Sequence, residues 1–207
     1  MLIKTLPVGH LDTNCYIVTN ENTLECVVID PGAESNTILD YLEDNKLTAK
    51  AIFITHGHFD HTTALPAVRE GTGAPVYVCR KDTCAPGLHN MHRLTADDSF
   101  HYWSEGDEVS AAGMSFTVLE TPGHSPGSVT IKCEDVLFTG DTLFRDSCGR
   151  TDLDGGDMAK ILVSLLRLAA LPGDYEVYPG HGDSTTLSRE RSFNYYIGYA
   201  RSLSEEK

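Results

Sequence analysis

The stretch THGHFDH, residues 55–61, places His56, His58, Asp60 and His61 within seven positions. Imidazole and carboxylate donors gathered this closely can bind a cation, and they suit zinc, iron or manganese better than calcium or magnesium. The run follows "AIFI" (51–54), which reads as a short buried strand. If the loop stays extended, His56, His58 and Asp60 point the same way. His61 then turns to a second point, so that one loop could serve two ions.

Three further sites share this context. "TPGHSPGS" sets His124 between two Pro-Gly turns after the strand-like "FTVLE"; "LFTGDTLF" sets Asp141 after an apolar run; "YPGHGD" sets His181 in a glycine-flanked turn. Each donor follows a segment expected to be a buried strand, where backbone geometry is rigid enough to hold a ligand. The glycines allow the dihedrals of tight turns.

The elements that would carry these residues are short strands with helices between them. "NCYIVT" (14–19) and "ECVVID" (25–30) read as a hairpin. The segment 35–46 reads as a helix opened by a capping Ser35, with Ile38, Tyr41 and Leu42 on one face. "TALPAVREG" is a helical turn and "PVYVC" (75–79) a strand. Strands are then expected in "DEVSAAG", "MSFTVLE", "SVTIKC" and "VLFTG". An amphipathic helix fits 157–171, and a closing helix fits 188–203 with Phe193, Tyr196, Ile197 and Ala200 on its packed side. Two strand-rich halves, each ending in helices, predict two packed sheets with helices outside. Residues 84–104 show no periodicity and read as a long loop. Within it, Leu88, Met91, Phe100, Tyr102 and Trp103 either cover the cleft or form a satellite surface cluster, the lid being slightly favoured. His89, His92 and His101 are expected to be solvated loop histidines.

The length of 207 residues suits one domain spanning 1–207. A net charge of −14, from 30 acidic and 16 basic residues, argues against nucleic acid as a partner. No apolar run is long enough to span a membrane, and the first residues lack signal-peptide features, so the expected location is the cytoplasm. There Cys15, Cys26, Cys79 and Cys133, all in apolar runs, are expected to be core residues rather than disulfide partners. Cys148 is expected to be structural, and Arg145 and Arg150 to brace their loop by ion pairs. The oligomeric state is not readable.

"THGHFDH", "TPGHSPGS", "FTGDTLF" and "YPGHG", in this order, resemble the metallo-β-lactamase superfamily. The stretch "GDTLFRDSCGRTDLDGGD" (140–157) and the tail "GHGDSTTLSRER" (180–191) resemble its glyoxalase II-like group of short single-domain hydrolases. The resemblance implies a four-layer αββα sandwich of two mixed β-sheets with helices on the outer faces. It implies two divalent metal ions, zinc foremost with iron or manganese as alternatives. His56, His58 and His124 would hold the first, Asp60, His61 and His181 the second, and Asp141 would bridge them. Two departures stand out: Ala64 replaces a usual glycine, and Tyr195 stands where relatives often have proline.

Paired ions would lower the pKa of a shared water toward about 7, and Asp60 is expected to orient the resulting hydroxide. The implied partner is a small-molecule thioester, such as an S-lactoyl thiol ester, whose thiolate leaves without needing a strong acid. Only 26 residues follow His181, one helix rather than the helical domain that grips glutathione in longer relatives. The rival reading is a persulfide dioxygenase with one iron held by His56, His124 and Asp141. A β-lactamase is disfavoured by the bridging Asp141 together with the second donor set, and a tRNA-cleaving enzyme by the acidic charge.

Overall fold

The computed structural model describes residues 1–83 and 94–205. Strand β1 (Leu2–Val8) pairs antiparallel with β2 (Thr13–Asn20), and β2 with β3 (Glu25–Ile29). Helix α1 (Ser35–Asp44) leads to β4 (Thr48–Phe53), parallel to β3. A single turn, α2 (Phe59–Thr62), and helix α3 (Leu65–Thr72) lead to β5 (Val76–Cys79), and β6 (His101–Trp103) closes the sheet; both strands run parallel to β4. The order is β1-β2-β3-β4-β5-β6.

The second sheet begins with the meander β7 (Glu108–Ala111), β8 (Met114–Glu120), β9 (Val129–Cys133) and β10 (Val136–Gly140). A small separate hairpin, β11 (Leu143–Phe144) and β12 (Ser147–Cys148), precedes helix α4 (Met158–Ala169). Strand β13 (Glu176–Pro179) joins β10 in parallel and β14 (Thr185–Thr186) forms the edge. Helices α5 (Leu187–Phe193) and α6 (Tyr195–Glu205) end the described chain.

Three apolar layers explain why β2, β3, β9 and β10 are buried on both faces. One core lies between the sheets, where Phe53 meets Phe116 at a ring separation of 4.9 Å and Trp103 at 5.1 Å. A second packs Ile38, Leu42, Leu65 and Val68 of α1 and α3 onto the first sheet. A third packs Ile161, Leu165, Leu168 and Ile197 of α4 and α6 onto the second. The result is the expected αββα sandwich of two mixed sheets. Cys15, Cys26, Cys79 and Cys133 are buried, as expected of core cysteines.

Several local expectations need correction. Ser35 does not cap α1: Glu34, with a φ of 52°, holds that position and no side chain caps the helix. The closing helix is two helices, because the Asn194 side chain starts α6 by accepting bonds from the Tyr196 and Ile197 amides. Phe193 therefore leaves the packed face and is 73% exposed. Ala64, with a φ of −86°, needs no glycine and is buried where α3 begins. In the stretch read as a loop or lid, His101–Trp103 form an edge strand. Trp103 belongs to the inter-sheet core, while Phe100 and Tyr102 pack on the helix-side core. His101 is exposed, as expected, though in the strand and stacked on Tyr77. Cys84, Leu88, His89, Met91 and His92 lie outside the described residues. No helix among the described residues is long and apolar enough to cross a membrane.

Candidate metal centre

All seven donors sit at strand ends on one edge of the sandwich. Strand β4 delivers His56 and His58 in extended backbone, since His58 has a ψ of 151°. The chain then enters α2, so Asp60 and His61 are carried by a helical turn. The expectation that Asp60 continues the direction of His56 and His58 is thereby corrected: the turn swings both Asp60 and His61 toward His181. The loop after β8 supplies His124, the end of β10 supplies Asp141, and the turn after β13 supplies His181.

The donor atoms fall into groups whose members lie within 4.8 Å of one another: His56, His58 and His124 form one, and Asp60, His61 and His181 another. In the first, Nε2 of His124 lies 2.8 Å from Nδ1 of His58. In the second, Oδ2 of Asp60 lies 3.2 Å from Nε2 of His181 and 3.5 Å from Nε2 of His61. Asp141 faces both groups. Its Oδ2 is 3.4 Å from Nε2 of His124 and 3.6 Å from Nε2 of His181, and its Oδ1 is 3.4 Å from Nε2 of His61.

Nε2 of His61 and Oδ1 of Asp141 are buried, face each other at 3.4 Å and make no hydrogen bond among the described residues. Two facing buried polar atoms left unsatisfied at this separation are costly unless something charged lies between them. A cation supplies that, so the donor set fits a metal. Burial pushes the Asp141 carboxyl up, but the charges of His61, His124 and His181 overcome this and hold it far below the ordinary carboxylate range. Burial pushes His61 down, yet Asp141 and Asp30 together raise it well above the usual imidazole value. Asp60 is lowered in spite of burial by His181 and His61, and His181 is raised in spite of burial by Asp60 and Asp141.

Around the donors a shell of acceptors fixes ring orientation. Nδ1 of His61 donates to Asp30 at 2.9 Å, Nδ1 of His124 to the Arg150 carbonyl at 2.8 Å, and Nδ1 of His181 to the Leu11 carbonyl at 3.0 Å. In each case Nε2 is left with its lone pair toward the centre. Thr13 donates to Asp60, and Asn14 holds the His181 turn through the Pro179 and Gly182 carbonyls. A Cβ at Gly180 would overlap Oδ1 of Asp141, which is why that turn needs glycine.

Two of these supports escaped sequence reasoning. Asp30 directly follows β3 and also accepts from the amide and hydroxyl of Thr55. The signal was present, because Asp30 follows an apolar strand as Asp141 does. Asp82 accepts from the Gly57 and Gly127 amides and from the Ser125 hydroxyl, tying the loop of His56 and His58 to that of His124. Nothing local in "RKDTC" marks it.

The donors open into a cleft of about 400 Å³, walled by Leu11, Phe144, Ser147, Cys148, Arg150 and Leu153. Cys148 packs in the third core, as expected of a structural cysteine, and also lines the cleft; burial raises its thiol pKa to about 11. Arg150 pairs with Asp152, and Arg145 with Asp183, as loop-bracing cations. A larger groove of about 660 Å³ runs along α4 and is lined by none of the donors. The smaller cleft is the one that His58, Asp60, His124, Asp141 and His181 line.

This fold and site define a class. The sequence profile of the metallo-beta-lactamase superfamily matches residues 8–181, and the chain belongs to that superfamily. Among its relatives is the hydroxyacylglutathione hydrolase GloC of Haemophilus influenzae. It is 32% identical, over 95% of this chain and 98% of the relative. The crystal structure of the B3 metallo-beta-lactamase BLEG-1 is 36% identical with a TM-score of 0.86, covering 95% of this chain and 99% of that one. The di-iron-bound form of TTHA1623 is 34% identical with a TM-score of 0.80, covering 94% and 100%.

Proposed function

We propose that the protein is a binuclear metallohydrolase that cleaves small-molecule thioesters. The observation that carries this is the position of Asp141, whose two oxygens face His124 of one donor group and His61 of the other. A carboxylate so placed can be shared by two ions, His56, His58 and His124 holding one and Asp60, His61 and His181 the other. A relative in di-iron form supports a pair of transition metals, with zinc, iron and manganese all suited to the donors. When bound, such a pair would activate water and stabilise negative charge on a carbonyl oxygen.

The chain's own residues do the remaining work. Asp60, held by Thr13 and facing His181 and His61, would orient the attacking water's proton. Leu11, Phe144 and Leu153 offer apolar surface for an acyl or thiol chain. Cys148, with its raised pKa, stays protonated and does not compete as a nucleophile. A thiolate departs without a proton, so the cleft needs no placed acid. The similarity to a hydroxyacylglutathione hydrolase supports an S-lactoyl thioester as substrate.

The test is a panel assayed on protein of measured metal content: S-lactoylglutathione, simpler S-acyl thiols, a β-lactam, and glutathione persulfide with oxygen uptake recorded. Thioester cleavage that tracks occupancy at two ions per chain is the expected result. Oxygen uptake with one iron per chain, or β-lactam cleavage alone, would overturn the thioesterase reading.

A further inference from the structure

Glu190 is fully buried and lies outside the donor set. A buried carboxylate is costly unless every lone pair is used, and here all are engaged. Oε2 accepts from the Asp146 amide at 2.8 Å and from Asn194 Nδ2 at 2.9 Å; Oε1 accepts from the Thr185 hydroxyl at 2.7 Å and from Arg189 at 2.8 Å. Asn194 Nδ2 also reaches the carbonyls of Ser147 at 2.9 Å and Phe144 at 3.3 Å. Arg189 grips both oxygens of Asp146. Apart from the Thr185 contact, which ties Glu190 to β14, these contacts end directly, or through Arg189 or Asn194, on the β11–β12 hairpin.

That hairpin cannot hold its shape unaided. Its strands are two residues each, joined by Arg145 and Asp146. Only Asp146 has positive φ, at 60°. The two-residue turns whose twist suits paired strands need positive φ at the first central residue or at both. A turn of the other kind splays its strands, so the geometry must be imposed from outside. The hairpin carries Phe144, Ser147 and Cys148 into the cleft wall, and the Phe144 ring stands edge-on to His181 with centroids 6.2 Å apart.

We propose that Glu190 and Asn194 are positioning residues that set the β11–β12 wall of the cleft and thereby its fit to the substrate. The junction between α5 and α6 is then a built part of substrate recognition, acting from behind the wall. The kinetic consequence rests on the thioesterase reading; the structural one does not.

Two measurements separate them. Glu190→Gln keeps the shape but turns one acceptor oxygen into a donor facing donors; Asn194→Ala removes the hairpin contacts directly. In either variant, alkylation of Cys148 by iodoacetamide, followed by peptide mapping, is expected to speed up about tenfold, as the loss of one or two net hydrogen bonds implies. Cys133, fully buried in the inter-sheet core, is expected to stay unreactive. With a thioester substrate, KM should rise about tenfold while kcat and metal content stay near the parent values. Parallel acceleration at Cys148 and Cys133 would mean general destabilisation and would overturn the proposal. So would unchanged labelling of Cys148, or a fall in kcat with KM constant. If no thioester is cleaved at all, the thioesterase reading fails while the labelling result still decides the wall's dependence on Glu190 and Asn194. Should Glu190→Gln not fold, Asn194→Ala alone decides by the same readouts.

Discussion

The carboxylate of Asp30 accepts a hydrogen bond from Nδ1 of His61 at 2.9 Å, in a pocket where both side chains are almost wholly buried. That bond fixes which His61 nitrogen carries the proton and aims Nε2 at Asp141. Replacing Asp30 with asparagine should therefore weaken cation binding at the Asp60, His61 and His181 group by about 10- to 100-fold, the usual effect of losing such a partner. Competitive titration with a chromophoric chelator measures this. An unchanged affinity would show that His61 is oriented by packing alone.

Metal stoichiometry should follow the geometry. His181→Ala and Asp60→Ala are each expected to lose one ion and His58→Ala the other, whereas Asp141→Ala should deplete both. Elemental analysis of the purified variants decides the matter. Full occupancy in Asp141→Ala would remove the case for a shared carboxylate.

Titration of the metal-free protein has a defined sign. His61 is raised above its ordinary value of 6.5, so its contribution to stability is complete below that value and is lost as pH rises through the raised one. Asp141 is depressed below 3.8, so its contribution holds above that value and is lost as pH falls through the depressed one. In the metal-free fold the raised His61 and the depressed Asp141 thus favour a protonated imidazole beside an ionised carboxylate. A cation must expel that proton. Zinc binding is expected to release protons and to tighten as pH rises from 6 to 8. Calorimetry in two buffers of different ionisation heat measures the release; none at pH 6 would contradict the charged pair.

Gly180→Ala tests the closeness of the His181 turn to the centre. The added methyl would overlap Oδ1 of Asp141 and lie 2.7 Å from the His61 ring. Overpacking of this kind costs about 1–3 kcal/mol, and metal content should fall with it. A variant with parent stability and full metal content would mean that the turn moves freely.

In the inter-sheet core, Phe53 touches Tyr77, Trp103 and Phe116. Phe53→Ala should cost about 3–5 kcal/mol and lower the urea midpoint, with Trp103 fluorescence following the transition. A loss below about 1 kcal/mol would imply that the sheets close over the gap.

The donors could be read from sequence because each is a chemically distinctive residue placed just past an apolar strand, and His56 to His61 sit within one loop. Layer order followed from apolar runs alone. What escaped depends on contacts distant in sequence. Trp103 sits in a strand of only three residues whose pairing with Cys79 no local period announces. The break at Asn194 arises because its amide reaches the β11–β12 hairpin while its carbonyl oxygen starts α6. Asp82 and Glu190 are ordinary charged residues in polar surroundings until the fold encloses them. An extended loop would send Asp60 in the direction of His56 and His58; the single helical turn of α2 redirects it.

The donors come from both sheets: His56, His58, Asp60 and His61 from the end of β4, and His124, Asp141 and His181 from the second sheet. His124 and His58, which meet at 2.8 Å, are 66 residues apart in the chain. Neither half alone can assemble a complete cage. Ion capture would therefore be a seal set on a finished assembly, and in refolding it should trail the recovery of Trp103 burial rather than lead it. A chelator would then act as a wedge at the seam, loosening the association of halves that each keep their own helix-backed core.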